Sequence, residues 1–346
     1  MSWWFAFSWQ NFWFSFLALV FEGVPFILLG SLISGVIGSF VPAHTITGLL
    51  PKSRFPALLV SGLLGLIFPV CDCGIVPIVR RILKKGVPLS CGITYMLASP
   101  IVNPLVIFST IIAFQGQAPL LNAGLRIGFG YFIAVMIGLI VGSLQSESIL
   151  RKGLITTGRP SRTGIRIAPL HDHGSEQMEV GFVRKVSAGV GMAPLHDHGS
   201  EQMEVGFVRK VSAGVRMATD DFLRTCLYFM VGAAIAATFN TAVNQRVILP
   251  LASDSVLSII SMMTLSGVLT LCSTSDAFIA ATFVTFPSAA RMAFMIFGPM
   301  FDLKLIFLYS ALFKKRFVIA LGVALFLFVG LICSIFISEI YAIQDL

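Results

Sequence analysis

Two thiols flank one carboxylate at Cys71-Asp72-Cys73, between Phe68-Pro69-Val70 and Gly74. That set suits a soft metal ion or a thiophilic compound, because thiolates favour Cu(I) or Zn(II) over Mg or Ca. A second cluster, Cys272-Ser273-Thr274-Ser275-Asp276, joins a thiol, small hydroxyls and an acid in the same way. Pro100-Ile101-Val102-Asn103 and Pro299-Met300-Phe301-Asp302 form another matched pair, each following a small residue and preceding an apolar run. Cys71, Asp72, Cys73, Asn103, Cys272, Ser273, Ser275, Asp276 and Asp302 are therefore the candidate substrate ligands. Glu22, alone in the first apolar run, is the candidate for proton coupling.

Each residue also has a plainer reading. Cysteines in apolar segments are often small fillers, which fits Cys226 and Cys333 well. Arg126 and Lys304 could neutralise the acids as structural ion pairs. Asp302 and Lys304 stand two residues apart, so they face different sides and do not pair if that stretch is helical. His171, His173, His196 and His198 form two His-x-His units that could gather a transition metal. Their alternative is a solvated loop.

These residues are embedded in a chain built for lipid. Of its 346 residues, 56% are hydrophobic and 12% charged, about half the charge of an ordinary soluble domain. The mean hydropathy is +0.91. Runs of roughly 20 apolar residues suffice to span the hydrocarbon as helix, which excludes a soluble fold. The net charge of +8 lies mainly in segments between runs, the usual topology signal and no reason to expect nucleic acid. All four tryptophans fall in the first thirteen residues, where indole rings would anchor the membrane interface. The start lacks a charged n-region and a small-residue cleavage site, so no signal peptide is expected. The scattered cysteines do not form a secreted disulfide framework.

The expected fold is all-α: a polytopic membrane helix bundle of about eight spans in two related four-span halves with discontinuous helices. The halves cover 1–144 and 221–346, and a polar segment covers 145–220. The spans fall near 12–41, 57–85, 88–114, 121–144, 222–243, 256–286, 289–313 and 317–337. Both termini are expected inside, and an even number of spans per half sets the pseudo-two-fold along the membrane normal. Within the polar segment, 168–192 and 193–217 match everywhere except Gly191 against Arg216. Near-identity marks a recent duplication, since a solenoid needs at least three copies. Ser-Glu-Gln-Met-Glu in each copy suits the start of a short amphipathic helix.

Breaks within spans free backbone groups that hydrocarbon cannot satisfy, so they survive only beside protein or a water-filled cavity. Paired breaks in two halves point to a substrate site near the midplane. No G-x-x-x-x-G-K-[ST] loop occurs, so energy would come from an ion gradient or a separate subunit. The rival readings are a membrane-embedded enzyme using Cys71 or Cys73, and a membrane subunit or scaffold. An enzyme is disfavoured because neither H-E-x-x-H nor G-x-S-x-G is present.

Phe68–Pro77, Gly86-Val87-Pro88, Ala98–Pro104 and Leu271–Ala277 together resemble the hallmarks of the ArsP/YraQ-like predicted permeases. The resemblance implies an eight-span permease of the bacterial inner membrane. It also implies efflux of trivalent organoarsenicals, with Cys71, Cys73, Asn103, Cys272 and Asp276 as motif residues. The partners expected are the bilayer, a small solute or metal ion and a possible membrane subunit, with no cofactor. The duplicated histidine insertion and the Cys-Asp-Cys form depart from the arsenical branch.

Overall fold

A computed structural model describes residues 9–51, 53–67, 70–144, 149, 199–242, 255–337 and 339–341. Among them there are helices and no strands. The first half comprises α1 (Trp9–Phe40), α2 (Ala43–Leu49), α3 (Arg54–Ile67), α4 (Ile75–Lys84), α5 (Leu89–Val102), α6 (Pro104–Ala113) and α7 (Pro119–Gly142). The remainder comprises α8 (Gly199–Ala242), α9 (Ser255–Leu269), α10 (Asp276–Thr282), α11 (Ser288–Met300), α12 (Leu303–Ser310) and α13 (Lys315–Ile332). A π-helical turn, Cys333–Ile337, prolongs α13.

Among the described residues, six helical stretches are long and apolar enough to cross a membrane. This is a multi-pass membrane protein. Eight spans with discontinuous helices were expected; the stretches near 57–85 and 256–286 are each divided at the expected breaks into two shorter helices, α3 with α4 and α9 with α10. A chain interrupted at Val70–Gly74 or at Thr270–Ser275 cannot keep one continuous i→i−4 ladder, so neither stretch forms a single long helix. The outer surface carries Phe14, Phe21, Leu120, Leu227, Ile319 and Leu327 largely exposed, as expected where the solvent is hydrocarbon.

Both remaining breaks fall where the sequence places a cap. Pro100 and Pro299 lie in the last turns of α5 and α11, where the ring removes one backbone donor and crowds the preceding turn. Three residues later in each case the next helix is capped by a side chain. Asn103 accepts from Leu105 N–H, and Pro104 follows at the first helical position, where its missing donor costs nothing. Asp302 likewise accepts from Leu305 N–H at 2.7 Å.

The long helices α1 and α8 pack along much of their length. Glycines permit the approach: a Cβ on Gly35 would stand 2.5 Å from the Gly214 carbonyl oxygen. α8 begins at Gly199, so the second copy of the duplication from Gly199 onward runs straight into a membrane-spanning stretch and is docked on α1 through Gly214. The expected end of the polar segment at 220 is thus not a break in the helix. His171, His173, His196 and His198 lie outside the described residues.

The basic cluster in the last turns of α4 is a clamp. Arg80 and Arg81 pair with Asp221 of α8 at 2.9 and 2.8 Å, and Ser34 of α1 donates to the same carboxylate at 2.7 Å. Lys85 donates to the carbonyls of Gly38 and Val41 at the end of α1. These contacts tie the C-terminal ends of α1 and α4 to the middle of α8.

Candidate functional site

The two unwound segments meet. Ser273 in the second break donates its hydroxyl to Asp72 Oδ1 in the first, at 3.2 Å across 201 residues of chain. Around that contact the acids expected from the sequence gather, all buried: Asp72 and Asp276 are 2% exposed and Asp302 is 1% exposed. An ionised acid at such depth costs several kcal/mol unless it is paired, and each has a cation beside it.

Arg126 of α7, 1% exposed, reaches Asp276 with one nitrogen at 3.0 and 2.8 Å from the two carboxylate oxygens. The same nitrogen donates to the Ser273 carbonyl at 3.0 Å, and its twin donates to the Thr110 hydroxyl at 2.8 Å. One guanidinium thereby holds the second break against α6 and α7. Its fixed fork of donors suits this role better than an ammonium would.

Lys304, in the first turn of α12, is 4% exposed. Its ammonium donates to the carbonyls of Thr270 and Leu271 at 3.1 Å each. It also lies 3.4 Å from Asp72 Oδ2 and 3.3 Å from Asp302 Oδ2. The sequence argued against an Asp302–Lys304 pair on the condition that both were helical. Asp302 is not helical: φ −131° and ψ 175° place it extended ahead of α12, and an extended cap turns its carboxylate back over the first turn.

Beside the network lies a small cavity of about 10 Å³, room for about one water molecule. Cys71, Asp72, Cys73, Cys272 and Lys304 line it, together with Glu22 of α1 and Phe229 of α8. Glu22 itself is exposed. Phe229 presses its ring on Gly23, where an added Cβ would fall 2.2 Å from it. The wall is a close backbone contact as well, since a Cβ on Gly30 would stand 2.1 Å from the Gly74 carbonyl oxygen.

Seven of the nine candidate ligands thus converge: Cys71, Asp72, Cys73, Cys272, Ser273, Asp276 and Asp302. Asn103 does not join them; it is spent on capping α6. Ser275 precedes α10 without making a capping hydrogen bond. Among the described residues, no three of His, Cys, Asp and Glu come together as a ligand set for a metal ion. The three thiols line one cavity without closing on a common point. Cys91 packs apart from it, with Ala57, Leu58, Val87 and Val135. Phe229 and the glycines of α1 were not foreseen, because an aromatic and a glycine in apolar spans carry no chemical signal.

Asn103→Ala is expected to cost about 1 kcal/mol, the usual worth of an N-cap. Thermal unfolding in detergent should show it, with little change in solute transport if Asn103 only caps.

A family model described as a predicted permease, ArsP_1, matches residues 8–338. The chain belongs to this permease family. A protein of Bacillus subtilis (strain 168), UPF0718 protein YcgR, is 36% identical over 307 residues, covering 88% of this chain and 90% of its own. A Streptococcus mutans serotype c protein, named as a candidate subunit of a two-component membrane permease complex, is 29% identical over 305 residues. That match covers 88% of this chain and 87% of the relative. No solved structure matches. Asp72, Ser273 and Asp276 of the buried network lie in the hallmark stretches noted in the sequence, whereas Arg126, Asp302 and Lys304 lie outside them.

Proposed function

We propose that this permease moves a thiophilic solute, a soft metal cation or a compound such as a trivalent organoarsenical, through the cavity between its two broken-helix segments. The observation that carries the reading is the convergence of Cys71, Cys73 and Cys272 on one small cavity. Soft ligands select soft partners. Their failure to form a closed metal set favours a solute that visits over an ion that resides. Phe26 and Phe229 border the same cavity and would face the organic part of such a compound once the cavity opens during transport.

The matched order of helix, break and helix on each side of the chain supports two related halves rocking about a central site. With α3–α4 and α9–α10 each counted as one crossing, the number of spans is eight. Glu22 on the cavity wall is the group that would exchange a proton during transport. The membrane is the bacterial inner membrane. The name of the Streptococcus relative supports a second membrane subunit as partner. The absence of a phosphate-binding loop from the sequence favours gradient-driven transport or an energising partner over a built-in nucleotide motor.

The triple substitution Cys71→Ser, Cys73→Ser and Cys272→Ser tests the reading. Each change keeps a small side chain and removes the soft ligand. A deletion strain carrying the triple variant is expected to lose at least about tenfold in protection or uptake toward its thiophilic solute, the discrimination of one lost ligand contact worth 1.4 kcal/mol. Metal and arsenic content by mass spectrometry reads the effect, with membrane abundance checked by immunoblot. Unchanged content across a panel of soft metals and arsenicals, relative to wild type and deletion, sinks the proposal. A scaffold would also be indifferent to these three substitutions.

A further inference from the structure

The ammonium of Lys304 sits among four oxygens. Two are the carbonyls of Thr270 and Leu271 at 3.1 Å, and two are carboxylate oxygens of Asp302 and Asp72 at 3.3 and 3.4 Å. An ammonium has three hydrogens. With two committed to the carbonyls, one is left for two carboxylates, and neither Asp72 Oδ2 nor Asp302 Oδ2 has a hydrogen-bond partner. The cage therefore has more acceptor capacity than the lysine fills.

Unwound backbone carbonyls joined to carboxylates are an oxygen set suited to hard cations, and broken helices in membrane carriers present such carbonyls to coupling ions. The backbone is held in an unfavourable shape to do so. Thr270 has φ +51°, a left-handed conformation that is a genuine outlier for a β-branched residue, and its carbonyl is one of the four oxygens.

We propose that Lys304 is a tethered occupant of an alkali-cation site, and that a free alkali cation replaces its ammonium during transport. Exchanging one monovalent cation for another leaves the buried charge balance unaltered, which avoids the large cost of uncompensated carboxylates. The departing ammonium has somewhere to go. Lys304 lines the cavity that Glu22 also lines, so a second carboxylate borders the same space. Hard ion and soft solute would then use different ligands in adjoining places, oxygens for one and thiols for the other. The inference rests on reading the breaks as the transport site.

The test uses full-length Lys304→Met in detergent, with thermal unfolding followed in sodium, potassium or N-methyl-D-glucamine chloride at equal ionic strength. Emptying the cage of its lysine should raise the unfolding temperature by ~3 °C or more in an alkali salt over N-methyl-D-glucamine, against ~1 °C or less for wild type. A variant that is monodisperse only in an alkali salt gives the same support. Asp72→Asn/Lys304→Met should lose the response. Equal behaviour of Lys304→Met in all three salts, whether folded or aggregated, overturns the cation site. The cysteine variants read separately: a normal cysteine phenotype with no alkali response removes this inference alone, and the converse removes only the thiophilic substrate.

Discussion

Arg126→Met is expected to destabilise the protein by about 3–5 kcal/mol, because it strands a buried charge. Asp276 is 2% exposed and takes both of its arginine contacts from one nitrogen. The substitution also leaves the Ser273 carbonyl and the Thr110 hydroxyl without their guanidinium donor. Thermal unfolding in detergent measures it. The paired change Arg126→Met with Asp276→Asn should recover more than half of the loss, since replacing both partners of a buried pair is far cheaper than removing one. No recovery would mean that Arg126 matters through packing, or through Ser273 and Thr110, and that the Asp276 pair is incidental. Arg126→Lys should behave nearer to Met than to wild type. A single ammonium cannot repeat contacts to α6, to the break carbonyl and to the carboxylate together.

Gly30→Ala is the second large effect. A methyl at that position would lie 2.1 Å from the Gly74 carbonyl oxygen and 2.8 Å from its carbon, and neither is the end of a flexible side chain. The clash is mutual, since a Cβ on Gly74 would fall 2.6 Å from the Phe26 carbonyl oxygen. Something must move: α1 away from the break, or the break away from α1. Overpacking of this kind costs about 1–3 kcal/mol and occasionally more. Either displacement alters the cavity wall between Glu22 and Cys73, so transport should fall by about tenfold or more even in variants that remain folded, as small misplacements far from the reacting groups do in enzymes. Gly48→Ala is the control, because nothing stands within 4 Å of its added methyl; it should behave as wild type in both assays. Equal transport by Gly30→Ala and Gly48→Ala would show that the α1 wall has no part in the pathway.

Both predictions turn on contacts between segments far apart in the chain, and those were only half legible beforehand. The breaks were legible. Cys-Asp-Cys-Gly and Pro-x-x-Asn stand out against uniformly apolar surroundings, and interrupted helices are tolerated in lipid only under the conditions stated by hydrogen-bond satisfaction. The caps were not legible: Asn103 and Asp302 read as candidate ligands, although an Asn or Asp three residues past a proline suits the end of one helix and the start of the next. Arg126 and Lys304 were visible as cations in apolar runs, but which acid each would meet was not. The Asp302–Lys304 pairing went against expectation for a local reason: side-chain direction depends on whether one residue is helical or extended, and two residues of sequence separation do not decide that.

The glycines of α1 show the other limit. Gly23, Gly30 and Gly35 lie scattered through a hydrophobic run, and nothing local distinguishes them from other membrane glycines. Their role exists only because Phe229, Gly74 and Gly214 arrive from elsewhere. The basic residues after α4 were similar. As a sequence feature they mark topology; in three dimensions Arg80 and Arg81 close on Asp221, 140 residues away.

What the chain determined by itself was its solvent, its helical character and the places where its helices must stop, because hydropathy, proline and capping residues act through neighbours along the backbone. Tertiary structure alone decided that the two stops face one another, which cation neutralises which acid, and that three thiols share one wall. Those outcomes depend on long-range packing of helices, where glycine sets the distance of approach and burial makes every unpaired charge too costly to leave.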